Sequence, residues 1–94
     1  MEWESDSEKR QQMIREKSEE ICKLLVSTGW KDRARGEYLF IKEKTENLKN
    51  MLITRIAGNL DFTPNCSIEL LTEQLNAMTA YLNILELRSH IEGF

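Results

Sequence analysis

Between positions 68 and 91 the apolar residues fall into two interleaved series, and no fold is stable that leaves both in water. Ile68, Leu71, Leu75, Met78, Leu82 and Leu85 form the first; Leu70, Ala77, Tyr81, Ile84 and Ile91 form the second. Steps of three, four and seven residues are the spacing of helix faces. Glu69, Glu73, Asn76, Asn83, Glu86 and His90 leave only a narrow polar stripe. A helix with so wide an apolar face must be covered on two sides.

The rest of the chain offers two narrower helical seams as cover. Ser5 and Glu8 have the spacing of a capping box, which opens a first helix over about 6–28 behind an acidic flexible lead at 1–6. Its seam is Ile14, Ile21 and Leu25, filled by Ser18 and Thr28 and widened by Cys22 and Leu24. Gly29 stands where a left-handed residue closes a helix at low steric cost. Asp32 is placed to cap a second helix over about 33–57. There Ala34, Tyr38, Ile41, Thr45, Leu48, Leu52 and then Arg55 or Ile56 alternate by four and three, a heptad seam. Gly36 weakens its first turn by about 1 kcal/mol relative to alanine, and Gly58-Asn59 ends it. Thr63-Pro64 reads as N-cap and first residue of the third helix, about 64–91.

These elements predict an all-α chain: a three-helix antiparallel bundle forming a single helical domain over 7–94, with room for a partner helix. Four glycines and one proline in 94 residues leave too little turn punctuation for a small β fold. The second series of helix three either is covered by Tyr38, Leu39, Phe40, Met51 and Ile53 or meets another chain; periodicity leaves both open.

Charge narrows the partner classes. Thirteen basic against sixteen acidic residues give a net charge of −3 and a pI near 5.2, opposite in sign to the field a phosphate backbone attracts. A nucleic-acid partner is therefore disfavoured. Arg35, Lys42 and Lys49 nevertheless repeat every seven residues and, with Lys31 and Arg33, make a candidate basic docking stripe beside the seam of helix two. The longest uncharged stretch, 74–85, is far short of the roughly 20 residues a bilayer span needs. The acidic N-terminus lacks the basic-then-apolar pattern of a secretory signal. Both thiols are accordingly expected reduced, in an intracellular protein.

No catalytic constellation emerges. The single histidine, His90, falls near a helix C-terminus, where a cation is favoured by the dipole. No pair of His or Cys ligands at metal spacing occurs, so neither a metal nor another cofactor is expected. Cys66 falls in the predicted first turn of helix three, where a thiol can be activated; a small, partly buried residue is the simpler expectation, and Cys22 reads as packing. Glu19-Glu20 and Glu43/Glu46 stand among lysines as surface ion pairs. No small-molecule substrate is implied.

The stretch Leu25-Val26-Ser27-Thr28-Gly29-Trp30-Lys31-Asp32, a Leu-x-x-x-Gly-Trp-x-Asp pattern between two helices, resembles the Enhancer-of-yellow family of small helical proteins. That resemblance implies a nuclear subunit of transcription and mRNA-export complexes that wraps a scaffold helix; without it, a cytoplasmic location is expected. Thr63-Pro64 falls where that family has a Thr-Pro, but Asn65-Cys66-Ser67 then departs from its pattern, and three long helices are expected here against its five shorter ones. The sequence thus points to a non-enzymatic subunit that buries an apolar helix face against a protein partner or a second copy of itself. Leu70, Ala77, Tyr81, Ile84 and Ile91 are the candidate partner-binding residues, with Trp30 as an end anchor. Alternatives are a nucleic-acid-associated helical module using the basic stripe, or a small stand-alone helical bundle with a thiol-based role.

Overall fold

A computed structural model describes residues 2–94; the side chains of residues 2–8 and 10 fall outside the description. The suggested Ser5–Glu8 capping box, and the Trp3 and Arg10 side chains, lie outside the described residues. The chain is all-α, as expected, with three helices: α1 (Glu2–Leu25), α2 (Trp30–Ile56) and α3 (Ile68–Glu92). No strand occurs among the described residues. The helices group into two compact units, one ending at Glu37 and one spanning Tyr38–Phe94.

In the first unit, α1 stops at Leu25, before the expected 28. Its last turn tightens, with Ser27 N–H donating to the Leu24 carbonyl at 3.2 Å. Gly29 is not the left-handed cap the sequence suggests, because positive φ occurs only at Gly58 and Gly93 among the described glycines. A side-chain turn does that work instead. Ser27 Oγ donates to Asp32 Oδ2 at 2.8 Å and accepts from Gly29 N–H at 3.2 Å. Arg33 Nη1 donates to the carbonyls of Ser27 and Thr28, both at 2.9 Å. Asp32 therefore braces the turn from inside the first turn of α2 and is not the N-cap.

Gly36 does not fray α2, which runs unbroken through it. It is buried where α2 crosses the end of α1: an added Cβ would lie 3.0 Å from Leu24 Cβ and 3.0 Å from the Leu25 backbone nitrogen. The missing side chain allows this approach. The seam foreseen on α1 is mostly open, since Ile14, Ser18, Leu25 and Thr28 are exposed and only Ile21 and Leu24 are half-buried. Contact at one end of a helix covers only that end.

The second unit is a helical hairpin. Tyr38, early in α2, donates its hydroxyl proton to Glu86 Oε1, late in α3, at 3.3 Å. Arg55, in the last turn of α2, donates from Nη1 to the carbonyl of Cys66, just before α3, at 3.0 Å. Those two bonds together make the helices antiparallel. The heptad seam of α2 is inward from Tyr38 to Leu52: Thr45 and Leu52 are buried, and Tyr38, Ile41 and Leu48 are half-buried. Of its two possible last members, Arg55 is half-buried and Ile56 is exposed. Buried Thr45 satisfies its hydroxyl by donating to the Ile41 carbonyl at 2.6 Å, as a helix-interior threonine does.

α2 ends as foreseen, at a glycine. Gly58 (φ 77°) donates to the Arg55 carbonyl, and Asn59 to that of Thr54, both at 3.0 Å. This is a Schellman motif, with the left-handed residue that glycine adopts most cheaply. α3 begins later than expected, however, and Thr63-Pro64 lies in the connection. Ser67, with extended backbone (φ −67°, ψ 158°), is the N-cap, its hydroxyl accepting from Leu70 N–H at 3.1 Å. Cys66 consequently precedes the helix. Both cysteines are free and exposed, which corrects the expectation of partly buried packing residues.

Candidate interaction face on the third helix

The two apolar series of α3 separate cleanly in space. Every member of the first is covered: Leu85 is 1% exposed, and Ile68, Leu71, Leu75, Met78 and Leu82 are half-buried. Every member of the second is exposed: Leu70, Ala77, Tyr81, Ile84 (58%) and Ile91 (73%). α2 has one inward seam and covers one series. Phe40 and Ile53, which a closed internal solution would turn over the second series, are themselves exposed.

At 100° per residue, the five exposed positions cluster on one side of the helix, roughly 130° around from the series that meets α2. Leu70, Ala77, Ile84 and Ile91 repeat every seven residues along it. The face is wider than the sequence reading made it. Leu87, at 61% exposed, and the exposed Ala80 broaden it on one flank. Leu87 follows Ile84 by three and Ala80 precedes it by four, so the spacing that found the seam reaches both. Along most of its length the face is aliphatic or aromatic, and covering each large side chain is worth about 1.5–3 kcal/mol.

Charge enters this face near its two ends. Glu73 is exposed one turn before Ala77. Arg88 lies one turn after Ile84, with Nη2 2.9 Å from Glu92 Oε2 and its guanidinium carbon 5.7 Å from the centre of the Phe94 ring. Gly93 (φ 78°) closes the helix there, donating to the Ser89 carbonyl at 2.9 Å.

The remaining candidates are separate features. Trp30 opens α2 in the first unit, half in solvent, with the Lys31 ammonium 5.7 Å from its ring centre. Such a contact steadies an exposed indole by about 0.5–1 kcal/mol. Lys31, Arg35, Lys42 and Lys49 are all exposed, and the Lys42 ammonium rests 6.0 Å from the Tyr38 ring centre. The Arg88–Glu92 contact is the one ion pair among the described residues. No group of His, Cys, Asp and Glu side chains among the described residues could hold a metal ion, and none of the helices is long and apolar enough to cross a membrane.

The family model described as Sequestin matches residues 28–91. The matched span takes in the turn before α2, α2 itself, the connection and nearly all of α3, and begins after α1 has ended. The match is to Sequestin, not to the Enhancer-of-yellow family, whose resemblance overlaps it at residues 28–32 and at Thr63-Pro64. No curated protein and no solved structure matches the chain.

Proposed function

The chain belongs to the Sequestin family, and from that premise we propose that it is a non-enzymatic interaction subunit whose α2–α3 hairpin docks an apolar helix along the outer face of α3. One observation carries this reading: the second series of α3, from Leu70 to Ile91, is exposed at every position while the series beside it is covered. Contiguous apolar surface of this kind marks interaction sites in folded proteins. Tyr81 is the aromatic anchor near its middle, the residue type that carries a large share of interface energy. The family's name accords with a protein that holds a partner rather than transforms a substrate. An intracellular complex is the setting proposed for it; placement in the nucleus rests on the resemblance at residues 25–32 alone.

A photo-crosslinking residue placed at Ile84 or at Thr79, both exposed but on different sides of α3, tests the reading in living cells. Defined protein adducts from position 84 and none from 79 are expected. Equal adducts from both, or none from either, remove the docking face. A partner held by the basic stripe would instead leave position 84 silent and show steep loss of binding with salt.

A further inference from the structure

The exposed face of α3 is complementary to itself when turned end for end. Its charges are of opposite sign at opposite ends, Glu73 towards the N-terminus and Arg88 towards the C-terminus. Its small residues, Ala77 and Ala80, stand immediately before its large ones, Tyr81 and Ile84. We propose that the face pairs with a second copy of this chain, antiparallel, about a two-fold axis that crosses α3 between Ala80 and Ile84. This deepens the docking reading above and rests on it.

A two-fold interface must use one patch twice, so that each contact occurs in both directions. A helix of 25 residues is about 38 Å long, enough for three heptads of contact. With the axis near its middle, Glu73 of each copy comes within about one turn of Arg88 of the other. The two alanines of each copy leave the room into which Tyr81 and Ile84 of the other fit, since close packing needs small residues opposite large ones. Parallel pairing would set Glu73 against Glu73 and Arg88 against Arg88, and stack the large residues on each other. Charge and volume therefore both select the antiparallel arrangement. Arg88 already holds Glu92 of its own chain at 2.9 Å, but a guanidinium has five donors and serves two carboxylates. The ion pairs fix direction and register; the aliphatic face supplies the affinity.

The test is the solution mass of the full chain, by sedimentation over a concentration series, for the parent, E73R, R88E and the E73R/R88E double variant. A parent dimer is expected. Each single variant places like charges together at both ends and should raise the concentration of half-dissociation by about tenfold or more. The double variant restores opposite charges and should return it to within about threefold of the parent. Since R88E also breaks the contacts with Glu92 and Phe94 in the double variant, restoration isolates the pairing between copies. Circular dichroism of all four proteins checks that the helices persist. A parent that stays monomeric at every concentration overturns self-pairing, while the contrast between positions 84 and 79 still decides whether the face docks a different protein. A dimer indifferent to the single charge reversals, or one not restored in the double variant, overturns the antiparallel pairing.

Discussion

Ile84 and Leu85 are neighbours in the chain and opposites in environment: the first is 58% exposed and the second 1%. One step along a helix turns a side chain through 100°, and here that step crosses from the open face of α3 to the seam closed by α2. Substituting each in turn separates stability from association. Leu85→Ala removes most of a fully buried side chain and should cost about 2–5 kcal/mol, read as a lower midpoint in urea unfolding. In the dissociated chain Ile84→Ala removes a mostly hydrated one and should change stability by no more than about 0.5 kcal/mol.

Tyr81→Ala combined with Ile84→Ala should abolish association of the chain while helix content by circular dichroism stays near the parent's. Both side chains lie outside the packed seam. If the double variant unfolds instead, the two residues belong to the core and the docking face is lost with them.

Gly36 and Gly29 should respond differently to alanine. Elsewhere in a helix, Gly→Ala adds about 1 kcal/mol. At Gly36 the new methyl group meets the backbone of Leu25 at 3.0 Å, and backbone cannot swing away as a side-chain end can. Overpacking of this kind costs about 1–3 kcal/mol, so Gly36→Ala should loosen α1 from α2, seen as faster amide exchange at Ser27 and Gly29. At Gly29 the nearest atom, Asp32 Oδ2, is 3.6 Å away and φ is not positive. Gly29→Ala should leave exchange and stability nearly unchanged.

Ser67→Ala removes the hydroxyl that accepts the Leu70 N–H and should destabilise the hairpin by about 1 kcal/mol. Thr63→Ala, at the position from which the sequence alone would start the helix, should have no comparable effect. Equal losses in urea unfolding would mean that α3 starts earlier than Ser67.

Tyr38→Phe tests the cross-link between α2 and α3. The bond to Glu86 is long, at 3.3 Å, and only partly buried, so its removal should cost about 0.5–1 kcal/mol. Phenylalanine keeps the ring, with the Lys42 ammonium 6.0 Å from its centre, so a much larger loss would show that Glu86 is penalised by losing its donor.

What the linear sequence determined was periodicity and some punctuation. The α2 seam from Ala34 to Leu52 and the stop at Gly58-Asn59 were legible because spacing and a helix-ending glycine are both set within a few residues. The two series of α3 were equally visible for the same reason. Which of them would be covered was not, since Leu71 and Leu70 are alike in everything but direction; α2 decided it by presenting one seam and covering one side. The starts of α2 and α3 depended on side-chain hydrogen bonds that spacing does not reveal. Ser27 and Arg33 join to close the turn that Gly29 alone was expected to make, and Arg55 holds the carbonyl of Cys66 just outside α3, so that Ser67 caps it in place of Thr63. Gly36 reverses in meaning altogether: along the chain it is a weak point in a helix, and only the backbone of Leu25 lying against it makes it the residue that lets two helices meet. Local spacing says where apolar surface lies; which surface remains uncovered is a property of the neighbours, and those are chosen only when the chain folds.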